Sequence, residues 1–197
     1  MTPRVKLTIE DYRQVLAIYD KGVLSRGAHR FTDGAYCALE CDALARYHED
    51  GKPFDQSKFS DAPGNLPDIR LLNDGPWSSD EARTHAMLRL MAALSDWRVW
   101  PASRKRAFTD RVIIRTVNRI ISGIPYLPED LRKRCRDATS TVEAMRAAGV
   151  TLMDSPARLE WIVGATTSAA RAGKAEAVLL TAVDIWIEAA TATEHLT

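Results

Sequence analysis

Apolar residues along this chain recur three and four positions apart, the spacing that lays them on one face of an α-helix. Ile9, Tyr12, Leu16 and Tyr19 form the first such stripe, with Thr8 as its N-cap and Gly22 at its end. Tyr36, Leu39, Ala43 and Tyr47 form a second, with Asp33 placed to cap it and Gly51 to stop it. Met87, Leu90, Met91 and Leu94 mark a third, behind a capping box of Ser78 with Glu81 and running to about Trp97. Ile113, Ile114, Val117, Ile120 and Ile121 mark a fourth, between a Ser103 cap and Ser122. Pro128 suits a first helical position, and Leu131, Cys135, Ala138, Val142 and Met145 carry a fifth stripe to Gly149. Ser155 and Pro156 open a sixth, with Leu159, Ile162, Val163 and Thr166 inward. The seventh runs from about Lys174 to Thr191 on Val178, Ala182, Ile185 and Trp186.

Sustained period-two alternation is absent, and no Asn-Gly hairpin occurs, so strands are not expected. The pattern predicts an all-α fold, a single-domain helical bundle of about seven helices over residues 1–197. An N-terminal lobe of 1–100 and a C-terminal lobe of 101–197 are the alternative division. One connection is long and irregular, about 51–77, where Pro53, Pro63, Gly64, Pro67, Gly75 and Pro76 crowd together. It has room for one short helix, Pro67 to Leu72. Connections of that length in compact domains usually carry function or move.

The second stripe contains an anomaly. Glu40 falls in the middle of it, so its carboxylate is expected to leave water. That costs several kcal/mol unless the group is paired or protonated. Glu40 is therefore a buried polar centre in need of a partner, either a structural cation or a functional group.

Net charge is +1, but it is unevenly spread. Residues Arg104 to Arg136 hold ten Lys/Arg against three Asp/Glu, while the remainder holds 17 basic and 23 acidic residues. Within that basic stretch Arg104, Arg111, Arg115 and Arg119 fall on one side of a helix, opposite the isoleucines. Arginines so spaced can take successive phosphates or carboxylates, and Phe108 on the same side could stack on a base. The plainer reading is a solvated face paired with the acidic remainder.

Cys37, Cys41 and His48 share one helical edge, but His48 lies about 10 Å beyond Cys41 along the axis, too far for one ion to join all three. No metal and no cofactor are expected; three cysteines without a paired framework fit reduced thiols in the cytoplasm. Asp61 and Asp74 sit in turn sequences, where Asx hydrogen bonding explains them without catalysis. Walker A, dinucleotide-binding, H-E-x-x-H and G-x-S-x-G patterns are absent, as is any apolar run long enough for a membrane span.

The order of several short motifs resembles that of a family of uncharacterised all-α proteins from actinobacteria and their phages. That family runs Cys-x-Met-Glu, Gly-x-Pro, Ser-Asp-x-Pro and then Asn-Asp. The counterparts are Cys37-Ala38-Leu39-Glu40, Gly51-Lys52-Pro53, Ser60-Asp61-Ala62-Pro63 and Asn73-Asp74, within residues 33 to 125. Leu39 replaces the family's Met, and Gly64-Asn65-Leu66-Pro67 replaces its Cys-x-Cys-Pro. The resemblance implies a helical protein of phage or mobile-element origin, implies no activity, and singles out Glu40 again.

The expected function is that of a non-enzymatic helical interaction protein, a phage or mobile-element regulator or inhibitor that binds a host protein through loop 53–76 and the arginine row. The first alternative is nucleic-acid or nucleotide binding through Arg104, Phe108, Arg111, Arg115 and Arg119. The second is a hydrolase that uses Glu40 with Asp61 or Asp74. No membrane partner is expected, and the small residues of 164–170 offer a surface for homo-oligomers.

Overall fold

A computed structural model describes residues 6–19, 22–26, 36–47, 66–67, 69–149, 162, 164–170 and 175–196. Among the described residues the architecture is all-α: every regular element is a helix or a 3-10 turn. None of these helices is long and apolar enough to cross a membrane. The chain divides into two compact units, Met1–Trp100 and Pro101–Thr197.

In the first unit, α1 spans Ile9–Tyr19, α2 Ala38–Tyr47, α3 Arg70–Asn73 and α4 Asp80–Leu94, followed by a 3-10 turn at Trp97–Val99. Thr8 opens α1 as the sequence predicts: its backbone N–H and hydroxyl both donate to Asp11 Oδ2 at 2.7 Å. Three positions expected elsewhere are corrected. Helix α4 is capped by Ser79, whose hydroxyl accepts from the Ala82 N–H at 3.1 Å, so the box of Ser78 with Glu81 does not form. The short helix of the connection starts at Arg70, three residues beyond Pro67. Helix α2 begins at Ala38, with non-helical Tyr36 and Cys37 before it, so Asp33 is not its cap.

α2 packs on α1, α3 and α4, and nearly every side chain along it is buried. Tyr12, Leu16, Ile69, Leu72, Met87 and Leu90 of the neighbouring segments are buried with it. Enclosing a helix on all sides buries its charged residues too: Glu40 is 8% exposed, Asp42 3% and Arg46 2%. Arg46 forks onto Asp42 one turn earlier, Nε to Oδ2 and Nη2 to Oδ1, both at 2.9 Å. The Tyr12 hydroxyl of α1 donates to Asp42 Oδ1 at 2.6 Å, and Arg46 Nη2 also donates to the Ser95 carbonyl beyond α4. Ser95 Oγ in turn accepts from the Leu7 N–H at 3.1 Å.

In the second unit, α5 spans Ala102–Arg119, α6 Glu129–Asp137, α7 Thr141–Ala147 and α9 Ala175–Ala192, with a 3-10 turn at Ile121–Gly123. Residues 164–170 form the helical stretch α8. The helix predicted over residues 128–149 is two helices. Ser140 and Glu143 make a full capping box, which starts α7 afresh and turns Val142 out to solvent. That split and the short α3 raise the number of helical segments among the described residues to nine. The predicted start of α8 at Ser155 and Pro156 lies outside the described residues. Helix α9 runs as its stripe predicts, with Ala182, Ile185 and Trp186 buried.

α5 is the centre of this unit, packed by α6, α7 and α9. Phe108 meets Trp186 edge-on, centroids 5.5 Å apart, among Val112, Ile113 and Val117. The Asn118 side-chain amide donates to the carbonyls of Cys135 (2.7 Å), Arg136 and Ala138 (both 3.1 Å), which satisfies the end of α6.

Thr116 faces this core fully buried, and its hydroxyl has no hydrogen-bond partner. A buried hydroxyl left unpaired costs more than the methyl that could replace it. Thr116→Val is expected to raise stability by about 1 kcal/mol in a denaturant titration; a loss of stability would show that the hydroxyl is satisfied after all.

Candidate functional site

Glu40 is the third residue of α2, and its Oε2 accepts the backbone N–H of Cys37 at 2.7 Å. That contact is the N3-to-N-cap half of a capping box, and the helix N-terminus favours a carboxylate by its dipole as well. The residue is buried as its stripe predicts, but its need is met at least partly by the start of its own helix. A buried ion pair lies two residues on, between Asp42 and Arg46. The signal was present as an i,i+4 Asp–Arg spacing, which on an exposed helix means little.

The hydrolytic alternative gains no cluster here. Asp74 Oδ1 accepts from the Asn73 side-chain amide at 2.9 Å, and Asp61 lies outside the described residues. Most of loop 53–76 lies outside them too, as does His48. Cys37 and Cys41 are buried thiols outside any disulfide. Among the described residues no three His, Cys, Asp or Glu side chains lie close enough to share a metal ion.

The arginine row is not one surface. Arg104 is buried, and Phe108 is wholly inside the core against Trp186, so it cannot stack on a base arriving from solvent. This corrects the stacking role assigned to Phe108. Arg111, Arg115 and Arg119 are exposed. Arg119 Nη1 pairs with Glu188 Oε1 of α9 at 2.9 Å, which holds Glu188 below the usual carboxylate range. On α6 the basic run is paired within its own helix: Glu129 meets Arg132 and Arg136, each at 2.5 Å, and Asp130 meets Arg134 at 3.2 Å. The plain reading of the charge cluster thus accounts for much of it.

A groove that sequence reasoning did not find lies at the lower end of α5. It has a volume of about 450 Å³ and is walled by Ile120, Ile124, Pro125, Tyr126, Ala177 and Val178, with Arg119 at its edge. Gly123 and Pro125 break the chain after α5, so the 3-10 turn and the following residues project Tyr126 outward, where it is 69% exposed. The neighbouring walls of α8 and α9 are small side chains, Ala169 and Ala177, which leave the space open. The dipeptide Pro125-Tyr126 was the only trace of it in the sequence.

Comparison with protein-family models, curated proteins and solved structures gives no match.

Two measurements check these assignments. Removing Asp42 strands the Arg46 guanidinium in the interior, so Asp42→Ala is expected to cost about 3–5 kcal/mol, and Glu40→Ala, which loses half of a cap, about 1 kcal/mol. Denaturant midpoints that reverse this order would move the central charge back to Glu40. Burial pushes the Cys37 thiol up to about 11 and raises Cys135 as well. Both are therefore protonated at neutral pH and poor nucleophiles. Native protein treated with iodoacetamide at pH 7.5 is expected to stay unalkylated at all three cysteines until denaturant is added; rapid native labelling of Cys37 would refute the assignment.

Proposed function

We propose that this chain is a non-enzymatic all-α interaction protein that acts by binding another protein in the groove beside Tyr126. One observation carries the reading: an apolar groove of about 450 Å³ with an exposed aromatic ring at its rim. Clefts of that size and chemistry take apolar anchors from a partner, and aromatic residues are enriched where such contacts carry binding energy. The motif order around Glu40 supports a setting in a phage or mobile element, with a host protein as the target and the cytoplasm as the place of action.

The alternative of nucleic-acid or nucleotide binding retains support from Arg111 and Arg115 alone, since Arg104 and Phe108 belong to the core and Arg119 is shared with Glu188. For the hydrolase alternative, Glu40 is engaged at its helix start and Asp74 by Asn73, and Asp61 lies outside the described residues.

Tyr126→Asp places a charge in the groove and disturbs no buried contact. Capture of a host protein from lysate is expected to fall about tenfold or more, with helicity by circular dichroism unchanged. A wild-type pull-down that recovers nucleic acid alone, or capture that Tyr126→Asp leaves intact, would overturn the reading.

A further inference from the structure

We propose that the partner of this groove is a helical segment, apolar at one end and acidic at the other, and that Arg111 and Arg115 select its acidic end. The inference rests on the docking reading above and names the chemistry of what docks.

Two hollows lie along one seam, linked by the ion pair of Arg119, which lines the first, with Glu188, which lines the second. Helices α5 and α9 lie against each other, and one stripe of α9 runs from Ala177 and Thr181 through Ile185 and Glu188 to Ala192. The groove beside Tyr126 uses the first part of that stripe and Arg119. A second, smaller hollow of about 80 Å³ uses the last part, between Arg111, Arg115, Glu188 and Ala192. From Arg119 to Arg111 is eight residues of α5, about 12 Å or two helical turns. A partner lying along this seam meets an apolar cleft first and two guanidinium groups about two turns later.

Those two groups are less committed than Arg119. Arg111 and Arg115 hold no hydrogen bond or ion pair among the described residues, whereas Arg119 takes the Glu188 carboxylate at 2.9 Å. On α6, Arg132, Arg134 and Arg136 spend their charge on Glu129 and Asp130. Glu188 lines the same hollow, but its carboxylate is taken by Arg119 and Arg115 only adds to its field, so Arg111 and Arg115 leave an excess of positive charge for carboxylates brought by a partner. The hollow beside it has room for a carboxylate group and offers no aromatic ring on which a base could stack, because Phe108 is turned into the core. Apolar cleft and basic end together fit helix-in-groove recognition with charge setting the orientation.

The test is selection of binders to the full-length protein from a displayed library of random peptides about 16 residues long, some 24 Å as a helix. The selection is repeated on Arg111→Glu/Arg115→Glu and on Tyr126→Asp, each checked for an unchanged circular dichroism spectrum. Wild type is expected to enrich peptides with an apolar end and Asp or Glu about two turns away. The arginine double variant is expected to bind those peptides about tenfold more weakly and to enrich Lys or Arg at the same positions. Enriched peptides without acidic residues, or binding that the double variant leaves unchanged, would overturn the acidic-partner inference while the docking reading stands. No enrichment on wild type, or enrichment that Tyr126→Asp leaves untouched, would remove both. A single-stranded oligonucleotide that binds wild type more tightly than any selected peptide, and loses binding in the arginine double variant, would hand the site to nucleic acid.

Discussion

The first unit depends on a charge pair sealed away from water. Asp42 and Arg46 meet in a two-bond fork at 2.9 Å, and each also reaches outside α2, Asp42 to the Tyr12 hydroxyl and Arg46 to the Ser95 carbonyl. A buried pair of this kind gives little net stability over an apolar replacement, because desolvation consumes most of the attraction. It is intolerant of halves, however. It also fixes direction: a fork that must find a hydroxyl on one side and a carbonyl on the other sets the rotation of α2 against α1 and the end of α4. Apolar contacts around Leu44 and Leu90 could be met at several rotations, whereas these hydrogen bonds are met at one.

The second unit is organised around an aromatic contact. Its centre is Phe108 on Trp186, surrounded by β-branched residues of α5 and the alanines of α9. At the surface Glu129, Asp130 and Glu188 pair with Arg119, Arg132, Arg134 and Arg136 of the basic stretch. What remains outward is a groove with a tyrosine at its lip and two arginines further along the same seam. The proposed role as an interaction protein draws on that residue of uncommitted chemistry, not on any buried polar group.

Periodicity alone makes the helical class legible here, and it places α1 and α9 well because Thr8 and the Ala-rich final stripe are local signals. It misplaces the start of α2 by one turn and that of α4 by a single residue, since Asp33 and Ser78 are as good as caps on paper as the residues that serve. The single helix predicted over 128–149 fails for a similar reason: the box of Ser140 with Glu143 was hidden inside an unbroken apolar stripe. Glu40 was read correctly as inward, but the wheel cannot show that α2 is enclosed on every side. Asp42 and Arg46, on its nominally polar flank, are therefore as deep as Glu40. Arg104 and Phe108 show the converse. A row that looks uniform in sequence is cut by the packing of its neighbours, and the Tyr126 groove depends on a chain break whose direction no pattern encodes.

Asn118 ties the last carbonyls of α6 to the middle of the unit with a single side-chain amide. A nine-residue helix is too short to persist in water by itself. The end of α6 thus gains its closure only once α5 is in place beside it. The corner between α6 and α7 should accordingly assemble in one cooperative step, late relative to the long helices, and come apart as a piece when α5 loosens.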